Sequence, residues 1–144
     1  MLKNIPAILS PDLLKYISEM GHSDSLVICD GNFPTASIGK NSNIIRMDGH
    51  GVVEILDAIL QLFPLDTYVE HSVILMEKVK GDNVPTPIWE DIKNVIGKYD
   101  DRGGETIGHI ERFKFYDEAK GAYLLIATSE KALYANVMLK KGVI

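Results

Sequence analysis

Residues 26–29, Leu-Val-Ile-Cys, form an apolar run through which no polar residue alternates. A strand with one wet face alternates, so this run reads as a strand buried on both faces. Turn-formers close it on either side: Gly21 before it, and Gly31, Asn32 and Pro34 after it. Titratable groups bracket it as well, with His22 and Asp24 ahead and Asp30 behind. In open α/β sheets ligands gather beyond the carboxyl ends of the strands, which makes Asp30 a candidate ligand contact. An aspartate after a strand also serves as a turn residue or a helix N-cap, and position alone leaves both roles open.

The rest of the chain alternates helix and strand signals without a linker, a repeat or a low-complexity segment. Ser10-Pro11-Asp12 supplies an N-cap, a first-turn proline and a first-turn acid. Leu13, Leu14, Ile17 and Met20 then share one helical face, with Gly21 as the expected left-handed stop. After the first strand, the polar segment through Lys40 and Asn41 reads as loop. Asn43–Met47 reads as a short strand, and a second helix carries Val53, Leu56, Ile59, Leu60 and Phe63 up to Pro64. Ser72–Val79 is strand-like. Thr86-Pro87 opens a helix with Ile88, Ile92, Val95, Ile96 and Tyr99 on one side, and residues 99–104 are the most loop-like of the chain. A further helix is expected over Arg112–Lys120, then strands over Tyr123–Ala127 and Asn136–Leu139. Strands joined through helices imply crossovers, so the prediction is one α/β domain spanning residues 1–144, with a mostly parallel sheet covered by helices on both faces.

Composition narrows the function. At 144 residues the chain can build one core, and 46% apolar with 24% charged residues is the balance of a soluble globular protein. The net charge is −5 and no basic run exceeds Lys140-Lys141, which argues against nucleic acid as a partner. No apolar stretch approaches the roughly 18 residues of a membrane span, and the N-terminus lacks a signal-peptide apolar region, so a cytoplasmic protein is expected. Cys29, the single cysteine, lies inside the buried run and serves as a small apolar residue.

Metal chemistry is not expected: His22, His50, His71 and His109 lie far apart, without the short spacing of catalytic zinc ligands. No G-x-S-x-G, P-loop or G-x-G-x-x-G pattern is present. The tail is more informative. Tyr134-Ala135-Asn136 precedes the last strand, and its phenol and amide both donate and accept hydrogen bonds, as sugar hydroxyls do. A tyrosine packed on the sheet and an asparagine in a turn would give the same letters.

In order and spacing, several motifs together resemble the ribose-pyranase and fucose-mutarotase family. They are Pro11-Asp12-Leu13-Leu14, Glu19-Met20-Gly21-His22 with Asp24, Asp30-Gly31-Asn32-Phe33-Pro34, Arg46-Met47-Asp48-Gly49, Gly81-Asp82, Arg112-Phe113 with Phe115-Tyr116, Thr128 with Glu130, Tyr134-Ala135-Asn136 and Leu139–Val143. Asn32-Phe33-Pro34 and Arg112 resemble the fucose branch. The resemblance implies His22 as proton donor and Asp30, Arg112, Tyr134, Ala135 and Asn136 as sugar-binding residues. It implies no cofactor and an isomerase that interconverts the α and β anomers of L-fucose. The alternatives are pyranose–furanose interconversion of ribose and a non-catalytic sugar-binding module linked to sugar uptake. One departure stands out: Ala135 occupies a position where the family carries glycine, and a positive φ there would cost alanine roughly 1 kcal/mol.

The residue types suit the chemistry. Anomer exchange takes a proton from the anomeric hydroxyl and delivers one to the ring oxygen, and histidine exchanges protons near neutral pH. A geometric difficulty comes with it. If the run between them is one extended strand, His22 and Asp30 stand roughly 17–25 Å apart, too far for one monosaccharide to touch both. The family's oligomers, decamers of two stacked rings, imply a homo-oligomer with sites shared between subunits. Trp89 and Phe33 are apolar candidates for either such an interface or the core.

Overall fold

A computed structural model describes the whole chain, Met1–Ile144. Six strands form one sheet: β1 (Ser25–Cys29), β2 (Asn43–Met47), β3 (Val73–Met76), β4 (Ile107–Ile110), β5 (Leu124–Thr128) and β6 (Val137–Lys140). Five helices accompany them: α1 (Pro11–Glu19), α2 (Thr35–Ile38), α3 (Val52–Leu60), α4 (Ile88–Ile96) and α5 (Arg112–Lys120). The strand order is β2-β5-β1-β6-β3-β4. The β2–β5, β5–β1 and β3–β4 pairs are parallel, and β6 runs antiparallel to both β1 and β3. The sheet is therefore mixed but mostly parallel, in one α/β domain.

Side chains of successive strand residues point to opposite faces, and the core divides accordingly. Leu26 and Ile28 of β1, Leu124 and Ile126 of β5, and Val73 and Leu75 of β3 pack with α1, α3 and α4 in the larger apolar cluster. Val27, Cys29, Leu125, Ile74 and Met76 face the other way, against Phe33, Phe115 and Ala119. Both faces are covered, which is why β1 and β5 carry no polar alternation. Phe33 is core, not surface, and meets the Phe115 ring edge-on with centroids 6.1 Å apart.

Several elements differ from the sequence expectation. Helix α1 starts as read, with Ser10 Oγ accepting the Leu13 N–H at 3.2 Å, but Gly21 is not its left-handed stop. Met20 is extended, and the Asp24 carboxylate accepts the Gly21 N–H at 2.8 Å, so the positive φ falls on Ser23 at 71°. Strand β3 is shorter than its β-like sequence because its partner ends: Ile110 is the last residue of β4, and Glu111 turns the chain into α5. The loop after β1 contains the single-turn helix α2, too short to show a period. Strand β4 and the 3-10 turn Gly103–Thr106 before it carry no sequence signal as elements. Gly108 stands inside β4, paired with Ile74, because His71 packs over it: a Cβ there would stand 2.6 Å from the His71 ring. No helix is long and apolar enough to cross a membrane.

Candidate functional site

The topology brings the ends of several strands to one edge. Asp30 follows β1, Met76 ends β3, Arg112 follows β4, and antiparallel β6 presents the residues before it, Tyr134–Asn136, at this same end. Between them lies a cleft of about 270 Å³, lined among others by Asp30, Arg112, Tyr116, Tyr134 and Asn136. That volume sits just below the range for drug-sized ligands and suits a smaller one.

Asp30 and Asn136 form the base of the cleft and are 5% and 4% exposed. They are joined twice: the Asp30 N–H donates to Asn136 Oδ1 at 2.8 Å, and Asn136 Nδ2 donates to Asp30 Oδ2 at 2.9 Å. Asp30 Oδ1 also accepts the N–H groups of Asn32 and Phe33 at 3.0 and 2.9 Å. A carboxylate has about four acceptor positions; these three bonds are joined by the pull of the Ala135 backbone N–H, so the protein itself holds Asp30 from all sides. Burial pushes the Asp30 carboxyl above its ordinary range, against the opposing pull of these amides. The loop that carries it is fixed from β5: Thr128 Oγ1 donates to the Cys29 carbonyl at 2.8 Å, and the Gly31 N–H donates to the Glu130 carbonyl at 2.9 Å.

Tyr134 is the strained member, with φ of 57° on a bulky side chain. The left-handed conformation thus falls on Tyr134 and not on Ala135, whose lack of glycine freedom costs nothing. Trp89 secures it: the indole Nε1–H donates to the Tyr134 carbonyl at 2.8 Å. The Tyr134 hydroxyl donates to Asp82 Oδ2 at 2.6 Å and accepts the Val79 N–H at 3.2 Å. Arg112 opens α5, which Glu111 caps by accepting the Phe113 and Lys114 N–H groups. Its guanidinium lies over the Phe113 ring at 4.6 Å, and its buried Nε has no hydrogen-bond partner. A buried donor without an acceptor is uncommon, and this one borders a cleft.

His22 is elsewhere. It precedes β1 and so occupies the opposite end of the strand from Asp30, about 17 Å away along five extended residues. There Asp66, whose side chain is 2% exposed, faces the His22 ring, which is 42% exposed, at 3.2 Å from Nε2. A carboxylate can only accept, so Nε2 carries the proton and Nδ1 is the ring nitrogen left to exchange one. The Tyr68 N–H and His22 hold the Asp66 carboxyl below its usual range, the backbone donor contributing most. Of the six sequence candidates, Asp30, Arg112, Tyr134 and Asn136 line one cleft, Ala135 is buried behind it, and His22 is separate. Asp66 escaped the sequence reading, and Asp82 and Tyr116 entered it only as parts of the resemblance motifs, without a role in the site. The first two act on partners 44 and 52 residues away, a separation that leaves no local pattern.

The comparisons with known proteins decide the family. A model of the RbsD / FucU transport protein family matches residues 3–144. The chain belongs to this family. It is similar to the fucose mutarotase of Mus musculus, 44% identical over 98% of this chain and 94% of the mouse protein. FucU from Bifidobacterium longum superposes with a TM-score of 0.97 at 58% identity, covering 99% of both chains. The fucose mutarotase from Streptococcus pneumoniae, whose crystal structure is a complex with L-fucose, gives 0.90 at 46% identity, again covering 99% of both.

Proposed function

We infer that this RbsD / FucU family member is an isomerase that interconverts the α and β anomers of L-fucose through the open-chain sugar. Relatives named fucose mutarotase match it along its whole length, one of them with L-fucose bound. The observation on this chain that carries the reading is the cleft itself. A buried carboxylate held rigidly by Asn136 and its own loop, a buried guanidinium N–H without a partner, and a phenol form a set of donors and acceptors sized for a monosaccharide.

Ring opening needs the anomeric O–H proton removed and the ring oxygen protonated, and closure on the other face reverses both steps. In this reading Asp30 and Asn136 fix the sugar's orientation, Arg112 donates through Nε, and Tyr134 and the backbone at Ala135 complete the binding wall. His22 exchanges the proton at Nδ1, because Asp66 keeps Nε2 protonated throughout. No step calls for a metal or an organic cofactor.

One monosaccharide cannot bridge His22 and Asp30 within a chain, since β1 is straight and extended between them. We therefore propose a homo-oligomer, a decamer of two stacked rings, in which His22 of one subunit reaches the Asp30 cleft of another. The exposed Phe113, Leu133 and Tyr68 supply apolar surface near the two half-sites. A cytoplasmic setting accords with Cys29 as a buried free thiol, pushed up to about 12 by burial.

Saturation-transfer NMR of the anomeric protons tests the activity on a panel of sugars. Transfer between the α and β signals of L-fucose at catalytic protein concentration is the expected result. Transfer confined to ribose would assign the ribose reaction, and broadening without transfer would make the protein a binder.

A further inference from the structure

The long loop between β3 and α4 closes over one side of the cleft and brings Asp82 to the Tyr134 hydroxyl at 2.6 Å. A phenol has one proton to give and two positions at which to accept. Here the proton is committed to Asp82 Oδ2, and one acceptor position is taken by the Val79 N–H at 3.2 Å. Only an acceptor position remains. We propose that Asp82 is a positioning residue for the anomer exchange: it makes Tyr134 an obligate, strengthened acceptor for one sugar hydroxyl.

Three observations converge on this. Asp82 is itself oriented, its Oδ1 accepting the Val84 N–H at 3.0 Å, so the second oxygen is aimed at Tyr134. The backbone of Tyr134 is pinned independently by Trp89, so the ring position does not need Asp82 to set it. The charge on Asp82 flows through the bond: an anionic acceptor polarises the phenol O–H and leaves more negative charge on its oxygen, which strengthens any bond that oxygen accepts. The mutual shifts agree, with the Asp82 carboxyl held below its ordinary range chiefly by Tyr134 and the Tyr134 phenol held above its own chiefly by Asp82. The consequence is selectivity of role. Tyr134 cannot donate to a sugar oxygen, so although a phenol ordinarily does both, here it joins the Asp30 carboxylate in offering a hydroxyl only an acceptor.

This proposal rests on the anomer-exchange reading, and the experiment separates the two. Wild type, Asp82→Asn, Tyr134→Phe and the double variant are compared for exchange of L-fucose anomers by saturation transfer. A second measurement, the 13Cζ resonance of Tyr134 in ring-labelled protein, is assigned by its loss in Tyr134→Phe. Asp82→Asn should slow exchange about 10-fold or more while raising no further loss in the Tyr134→Phe background, and should move the Tyr134 13Cζ line. Wild-type exchange in Asp82→Asn, an additive loss in the double variant, or an unmoved 13Cζ line overturns the proposal. If wild type exchanges no sugar at all, the functional reading falls, and the 13Cζ line still decides whether Asp82 sets the hydrogen-bonding state of Tyr134.

Discussion

Asp30 and Asp66 stand at opposite ends of the same sheet, and each is nearly sealed from water. Yet burial pushes the Asp30 carboxyl up, while a backbone N–H and the His22 imidazole hold the Asp66 carboxyl down. The first sits in a closed lattice of hydrogen bonds with Asn136 and its own loop, and the second supports a single exposed ring. The carboxyl-end region is thus built as structure, with binding atoms projecting from a buried frame. At the amino end the half-exposed His22 ring rests on Asp66 alone, and in the proposed function it is this ring that moves the proton.

Removing one residue from each end should affect the molecule in opposite ways. His22→Ala should abolish most anomer exchange, about 100-fold or more, with the thermal midpoint nearly unchanged and sugar binding partly intact. Exchange at the wild-type rate would take His22 out of the mechanism. Asn136→Ala should do the reverse in emphasis. It strands the Asp30 N–H and one carboxylate oxygen, so equilibrium denaturation should show about 1–3 kcal/mol lost in addition to weakened binding. A denaturation curve that matches wild type would contradict the buried frame.

Arg112→Ala comes next in size. It should weaken L-fucose binding about 10-fold in a calorimetric titration without lowering stability, because the Nε it removes has no partner in the protein. A loss of more than about 1 kcal/mol in stability would instead mark Arg112 as structural. Trp89→Phe removes the donor to the Tyr134 carbonyl and should cost about 1 kcal/mol, read as a lower thermal midpoint. The pH dependence of stability is the smallest effect and sharpens the contrast. A depressed carboxyl such as Asp66 contributes stability that is present above the unfolded value and lost as pH falls through the folded one. A raised carboxyl such as Asp30 works oppositely: its cost to the fold, present above its folded value, is relieved as pH falls toward the unfolded value near 3.8. Asp66→Asn should therefore flatten the loss of stability in acid, and Asp30→Asn should steepen the decline across the window just above 3.8.

The buried strands β1 and β5 were legible because burial on both faces writes an uninterrupted apolar run. Helices α1, α3 and α4 were legible from caps, breakers and period, and α5 from Gly121 as its stop. Strand β4 was not, since Gly108 is there to admit His71 and a glycine in so short a segment reads as a break. The same division holds in the site. Asp30, Asn136 and Tyr134 adjoin strands that the sequence reveals, so their position at a sheet edge could be read. Asp66 and Asp82 follow from which distant segments the fold brings beside His22 and Tyr134. The sequence likewise showed the glycine-to-alanine departure at Ala135, but only the backbone shows that Tyr134 carries the positive φ.

The proposed reaction joins the two ends of the sheet through two subunits, and complementation measures that directly. Chains carrying His22→Ala are mixed and reassembled with chains carrying Arg112→Ala and Tyr134→Phe, and L-fucose anomer exchange is followed by saturation transfer. Neither parent alone should exchange appreciably. Hetero-oligomers should regain a substantial fraction of wild-type exchange, because some interfaces then pair an intact His22 with an intact cleft. Confirmed hetero-oligomers without recovery, or a wild-type protein that sediments as a fully active monomer, would contradict the shared site.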